Sequence, residues 1–346
     1  MVTLRRPRKL QPGDRVALLS PSFAGPAVFP AVHERGVKAL IRDLDLVPVE
    51  YPTTRRLDAS PQARADDLNA AFADASIRAV MATIGGDDQL TVLPFLDATL
   101  VTHDPPAFFG YSDNTNLLLW LWRQGVSAYH GGSTLVHLAR PGGVHDAHLR
   151  SLRRALFDDG LFEIEPVTSF TDLQCDWSDL STLDAELPTE SDAGWLWRGG
   201  GVASGVTWGG NLEILHWNLA ANRWIGPNED YQDCVLLLET SEEMPAADEV
   251  FRMLRNLGER GLLERFSAVV MAKAKAWSSE SPLDASARHE FRRRQSDVLF
   301  QTCTTYAPDA LVVYGPDFGH TDPQIVIPYG ARMIVDGQQK RVWVQY

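Results

Sequence analysis

Cysteine is scarce. Cys175, Cys234 and Cys303 are the only three in 346 residues, odd in number and too far apart for a disulfide framework or a metal-ligand spacing. Such usage suits a reducing compartment. Basic charge is also short: 32 Lys and Arg stand against 45 Asp and Glu, a net charge of −13. That balance argues against a nucleic-acid or anionic-membrane surface. No apolar run reaches bilayer length. Between Met1 and Leu19 the basic residues Arg5, Arg6, Arg8 and Lys9 give way to Pro12-Gly13-Asp14-Arg15, leaving no secretory core. His-Glu-x-x-His, Cys-x-x-Cys and the phosphate loop G-x-x-x-x-G-K are missing. Internal repeats and low-complexity segments are missing too. These gaps lead us to expect a soluble, cytoplasmic protein with no metal and no organic cofactor. A hydrophobic content of 45% over this length is enough for one large or two ordinary domains.

Short apolar strands alternate with helices through the first half. Val16–Ser20 and Ala79–Ile84 read as buried strands, and a helix follows near 30–44. Ser60-Pro61 opens a helix running to Ala75, and another helix is expected near 88–97. This rhythm predicts βαβ units around a mostly parallel, doubly wound sheet, with ligands at the carboxyl ends of its strands. Residues 166–200 break the rhythm. They are rich in Ser, Thr, Asp and Gly, with Trp177, Trp195 and Trp197 interspersed, so they read as a linker or substrate loop. The tryptophans could stack on a flat substrate group or pack under the loop. His145 and His148, around Asp146-Ala147, read as an exposed helix start. The second half mixes helices with the strands Val235–Leu238, Phe266–Ala272 and Leu311–Tyr314. The segments 325–327, 332–335 and 341–344 look like antiparallel strands joined by turns. The expected fold class is α/β: an N-terminal sheet domain over 1–165, the loop over 166–200, and a smaller α+β, barrel-like C-terminal domain over 201–346.

The chain is organised around Phe108-Phe109-Gly110-Tyr111-Ser112-Asp113-Asn114-Thr115. A short strand enters this stretch and a helix, Leu117 to Trp122, leaves it. Asp113, Asn114 and Thr115 are residue types that cap helix N-termini. Ser112 therefore sits on a tight strand-to-helix turn, as in a nucleophile elbow. Gly110 fits the G-x-S-x-G pattern, while Asn114 stands where the second Gly would be. Ser112 can be a helix cap or a nucleophile. Gly85-Gly86, at the end of another strand, can be a plain turn. Alternatively, Gly86 and Asp113 supply two backbone donors to an oxyanion. Glu239 closes four buried aliphatics, and His320 follows Phe318-Gly319. A serine, a carboxylate and an imidazole at strand ends are the parts of a hydrolytic triad, although each has a plain structural reading alone.

The chain resembles the LD-carboxypeptidase family of serine peptidases, and within it the branch of microcin C immunity (MccF-like) hydrolases. The likeness rests on Ser20-Pro21-Ser22, Ile84-Gly85-Gly86-Asp87, Gly110 to Thr115, Gly209-Gly210-Asn211-Leu212, Leu238-Glu239-Thr240, Gly319-His320-Thr321-Asp322-Pro323 and Pro328-Tyr329-Gly330. It implies a site between two domains, with Ser112 as nucleophile, His320 as general base, Glu239 orienting the imidazole, and the N–H groups of Gly86 and Asp113 holding the oxyanion. It implies no metal, and a homodimer. Gly85, Asp87, Asn211, Lys273, Trp177, Trp195 and Trp197 are candidates for contacting substrate, and Arg198 with Lys273 for pairing a carboxylate or phosphate. The implied substrate is an aminoacyl- or peptidyl-nucleotide amide. The murein branch, which releases terminal D-alanine from a tetrapeptide, is the alternative. Ile84, where murein enzymes tend to carry Arg, favours the first. Asp87-Asp88-Gln89 departs from the small or Asn-rich residues often found there. Two further classes are a non-catalytic binder of small ligands and a glutamine amidotransferase, which would need Cys at position 112.

Overall fold

In a computed structural model describing residues 4–346, the chain forms two domains, each built on one main sheet. The first three residues of the Met1–Leu19 stretch lie outside the described residues. The first sheet has six strands, in the order Ile327–Tyr329, Ala128–His130, Ala107–Gly110, Ile77–Ala82, Arg15–Leu19 and Val47–Glu50. All neighbours are parallel except the first pair, in which Ile327 faces His130 in antiparallel register. Its central strands are buried on both faces, which is why they read as unbroken apolar runs rather than as alternation.

The second sheet has eight strands, in the order Leu161–Ile164, Arg341–Gln345, Arg332–Asp336, Val202–Asn211, Val235–Glu239, Ala268–Met271, Leu311–Tyr314 and Leu196–Arg198. The four from Val202–Asn211 to Leu311–Tyr314 run parallel, and the flanking pairs are antiparallel. The sheet is mixed and open, so the barrel expected of this half does not form. The reason is visible at one strand. The 325–327 segment, expected to pair with 332–335, crosses instead to the edge of the first sheet. Leu161–Ile164 crosses the other way, so neither sheet comes from one continuous stretch.

The helices Pro30–Leu44, Pro61–Ala73 and Thr115–Arg123 form where the sequence places them. The expected helix near 88–97 does not. Pro94, which has no N–H to donate, sits among three 3-10 turns, Gln89–Thr91, Leu93–Phe95 and Ala98–Val101. His145 caps the helix Asp146–Phe157, accepting from the Ala147 N–H at 3.1 Å. His148 is not exposed as expected. It is buried, stacks on His137 at 4.6 Å and hydrogen-bonds the Gln324 carbonyl at 2.7 Å.

One apolar core joins the domains. Leu117, Leu118 and Leu121 on the helix after Ser112 pack in the same cluster as Trp208, Leu212 and Leu215. At about 25 cal/mol per Å² of buried apolar surface, such a seam favours a fixed arrangement of the two sheets. Both sheets direct the carboxyl ends of their parallel strands at one cleft. Gly85 and Ser112 follow the ends of two strands in the first sheet, and Glu239 and His320 lie at or beyond the ends of two in the second.

Candidate active site

The cleft is a cavity of about 940 Å³. Ser112 lines it from the turn between the strand Ala107–Gly110 and the helix Thr115–Arg123. Its φ of 60° lies in the left-handed region that L-residues rarely adopt. A Cβ on Gly110 would fall 2.8 Å from Asn114 Cβ, so Gly110 makes room for the side chain at the second G of the motif.

The polar residues after Ser112 do not cap the helix as their types suggest. Asp113 turns away and accepts hydrogen bonds from Ser22 Oγ, from the Gln89 N–H at 3.0 Å and from Asn116 Nδ2 at 2.8 Å. Burial pushes its pKa above the usual carboxylate range, and the hydrogen bonds from Ser22 and Gln89 oppose the shift. Asn114 donates to the carbonyls of Ile84 and Tyr111, each at 3.1 Å. The cap comes from another loop: Gln89 Oε1 accepts from the Leu117 N–H at 2.9 Å. The Ser112 turn is thereby tied to Ser22, Ile84 and Gln89 on neighbouring loops.

Gly85 packs directly on the serine. A Cβ there would lie 3.0 Å from both Cβ and Oγ of Ser112. Gly86, at φ +154°, lies so close to the Ser22 loop that its Cβ would fall 2.1 Å from Ser22 Oγ. Among the described residues, the Gly86 N–H donates to no protein acceptor. Asp113 is second in its 3-10 turn, where an N–H has no partner within the turn.

The imidazole of His320 is buried. Its Nδ1 lies 2.6 Å from Glu239 Oε2, and the Glu239 side chain is fully buried at the end of its strand. The other nitrogen, Nε2, lies 2.9 Å from Glu242 Oε2. Ser112 and His320 share the cavity wall, but Nε2 is engaged with Glu242 rather than with the serine hydroxyl. Burial alone would lower the His320 pKa. The charges of Glu239 and Glu242, with their hydrogen bonds, outweigh it and raise the value to about 10. Glu242 is about half exposed; the desolvation it does feel favours its neutral form, but the imidazolium opposite brings its pKa down to about 2. Behind Glu239, Glu213 is pushed up to about 7 by burial and by the Glu239 charge, while it accepts from Ser241 N and Oγ. The Tyr111 ring lies against the His320 ring, tilted by 55° with centroids 4.9 Å apart.

The other expected contact residues divide. Asp87 and Trp177 line the cavity, and Trp177 meets Phe29 edge-on at 5.2 Å. Trp195 and Trp197 do not reach it. They lie 6.2 Å from each other, packed on the core of the second sheet. Lys273 is buried away from the cavity. It pairs with Asp192 and with Asp317 at 2.8 Å, and its ammonium sits 3.8 Å over the Phe170 ring. Arg198 holds Thr304 Oγ1 at 2.7 Å and the carbonyls of Ala307 and Ala310. Asn211 is a helix cap, accepting from the Ile214 N–H at 2.9 Å, and its own N–H reaches Thr115 Oγ1 at 3.0 Å. Asn211 thus fastens the two domains beside the serine. Sequence reasoning passed over Glu242, Phe23, Phe29, Tyr111 and Trp277, all of which line the cavity. Only Glu242 carried a signal, three residues after Glu239. Among the described residues no cluster of His, Cys, Asp or Glu has the arrangement of a metal site, and no helix is long and apolar enough to cross a membrane.

Comparison with known proteins identifies the family. Residues 16–131 match the LD-carboxypeptidase N-terminal domain, and residues 204–335 match the LD-carboxypeptidase C-terminal domain. A Vibrio cholerae protein carrying the name carboxypeptidase is 28% identical over 335 residues, covering 95% of this chain and 94% of that protein. The microcin C7 self-immunity protein MccF of Escherichia coli is 23% identical over 282 residues, covering 81% of this chain and 77% of its own. The structure of MccF in complex with glutamyl sulfamoyl guanosine superposes with a TM-score of 0.83 at 22% identity, covering 98% of both chains. An MccF-like protein from Streptococcus pneumoniae in complex with AMP gives 0.83 at 23% identity, covering 96% of this chain and 99% of that one. Matched along most of its length by both domains of one family, the chain belongs to the LD-carboxypeptidase family of serine peptidases.

Proposed function

We propose that the protein hydrolyses an amide linking an aminoacyl or peptidyl group to a nucleotide, with Ser112, His320 and Glu239 as its triad. The observation that carries this reading is the 2.6 Å bond from His320 Nδ1 to the buried Glu239, on an imidazole that shares the cavity wall with Ser112. Glu239 fixes the tautomer and orientation of the ring. Once Glu242 has moved off Nε2 and the imidazolium has given up its Nε2 proton to solvent, Nε2 takes the hydroxyl proton as Oγ bonds to the amide carbon. The oxyanion is received by the Gly86 and Asp113 N–H groups, which are fixed in place before charge develops. Nε2 then gives its proton to the leaving nitrogen as the C–N bond breaks. A water, activated by the same nitrogen, releases the acyl group from Oγ.

The nucleotide class is supported by the ligands of similar structures, which include glutamyl sulfamoyl guanosine, aspartyl sulfamoyl adenosine and AMP. The aromatic walls Phe29, Trp177 and Trp277 suit a flat base. The murein alternative is favoured by one relative, a murein peptide carboxypeptidase of Bacillus subtilis by name, 25% identical over 287 residues. We also take the protein to work in the cytoplasm as a homodimer. The test gives wild type and Ser112→Ala an aminoacyl sulfamoyl adenosine and, separately, a murein tetrapeptide, with products read by mass spectrometry. Serine-dependent cleavage of the nucleotide conjugate supports the reading. Serine-dependent loss of D-alanine alone replaces it with the murein reaction, and no turnover of either by folded protein rejects both.

A further inference from the structure

Beside the main cavity, and sharing Tyr111, Trp177 and His320 with it, is a recess of about 50 Å³. Lys275 lines it and is only 3% exposed. The other cations buried in this region all have partners: Arg140 holds Asp322 at 2.7 Å, Arg292 holds Asp172, His320 holds Glu239 and Glu242, and Lys273 holds Asp192 and Asp317. Among the described residues, Lys275 has no ion pair and no hydrogen bond of its own. Two polar atoms of the same recess, Thr321 Oγ1 and His137 Nδ1, are buried without a partner. A buried hydroxyl left unpaired is costly, and beside it stands a lysine at 3% exposure with no counter-ion. They occur together here, on the wall next to the catalytic imidazole.

We propose that this recess binds a carboxylate of the substrate, with Lys275 as its counter-ion and Thr321 as a hydrogen-bond donor. The substrate class comes from the hydrolase reading above, on which this proposal rests. A recess of about 50 Å³ has room for a group of carboxylate size. The groups around it explain the sign. Burial lowers the Lys275 pKa, and the carboxylates of Glu242, Asp172 and Asp322 act against that. Each of the three is already paired with another cation, so none of them closes on Lys275. The wall of the main cavity has the opposite character, with Asp87, Asp176 and Glu242 but no Lys or Arg. An anionic substrate group is therefore directed into the recess. Two sources share this chemistry: the terminal carboxylate of a peptide, and the side-chain carboxylate of an acidic aminoacyl group.

Calorimetry on Ser112→Ala separates them, because binding can be read without turnover. A murein tetrapeptide is compared with its C-terminal carboxamide, and aspartyl sulfamoyl adenosine with its asparaginyl counterpart. At least one acid should bind about tenfold or more tightly than its amide. Adding Lys275→Met should bring that acid to within about twofold of the amide and leave the amide unchanged. Equal binding of acid and amide in both pairs overturns the proposal, as does an acid preference that survives Lys275→Met. No measurable binding of either acid also overturns it. If Lys275→Met does not fold, Thr321→Val carries the same comparison, with a loss of about threefold expected on the acid alone. An acid preference that depends on Lys275, in a protein whose wild type hydrolyses neither substrate, would sink the hydrolase reading and leave the recess standing.

Discussion

Glu242 Oε2 lies 2.9 Å from His320 Nε2, on the side of the ring opposite Glu239. Nε2 is the atom that a triad needs free to take the serine proton. The resting site thus holds His320 between two carboxylates, in the charged form that cannot act as a base. Glu242 is 53% exposed, so it can move, whereas Glu239 is fully buried.

The pH profile follows from that arrangement. Burial lowers the His320 pKa, but the two carboxylates more than reverse this, to about 10. A general base must be neutral, so kcat/KM of the free enzyme should climb with pH through the alkaline range. Glu242→Gln removes one of the two raising charges. The rising limb should move to lower pH, and the rate at pH 7 should increase about tenfold for each unit of that move. A profile that is flat above pH 7 in both proteins would show that Glu242 does not control the base.

The Ser112 backbone gives a prediction about stability. At φ 60° a side chain strains the turn, and glycine does not. Ser112→Gly should stabilise the fold by about 1 kcal/mol while abolishing turnover. Ser112→Ala should leave stability close to wild type, because it keeps the Cβ. Urea unfolding of the three proteins checks this. A Ser112→Gly variant less stable than Ser112→Ala would mean that the turn is not strained.

Gly85 and Gly86 separate packing from chemistry. A methyl group at Gly86 meets Ser22 Oγ at 2.1 Å in a backbone conformation that alanine resists, so Gly86→Ala should cost about 1–3 kcal/mol of stability. At Gly85 the added Cβ reaches Ser112 Oγ at 3.0 Å with no φ penalty. Gly85→Ala should therefore stay within about 1 kcal/mol of wild type, yet lower kcat more than tenfold by displacing the hydroxyl. Thermal melts beside steady-state kinetics distinguish the two effects.

What the sequence could show depended on how local each cause was. The elbow was legible because Gly110, Ser112 and a helix start lie within a few residues. The strand ends at Glu239 and His320 were legible because apolar runs lead up to them. Lys273 and Lys275 were not separable by sequence. One side chain is buried against Asp192 and Asp317, and the other lines the recess; residues 81 and 44 positions away from Lys273 decide which. Trp177, Trp195 and Trp197 had equal standing as loop aromatics. Trp197 lies on a strand paired with Leu311–Tyr314, and Trp195 next to that strand packs on the same core, which takes both from the cavity. The barrel was misread because Ile327–Tyr329 pairs with Ala128–His130, about two hundred residues earlier, and no local pattern records that partner. Asp113 and Asn114 have the composition of a cap, but the loops at Ser22, Ile84 and Gln89 claim their side chains.

The central claim is that Ser112 is a nucleophile activated by His320, and covalent labelling tests it most directly. Wild type, His320→Ala and Glu242→Gln would be treated with a fluorophosphonate and digested, and the modified peptide sequenced by mass spectrometry. The account predicts a single adduct on Ser112, formed faster in Glu242→Gln and lost in His320→Ala. An adduct on another residue, or labelling of Ser112 at an unchanged rate without His320, would contradict it.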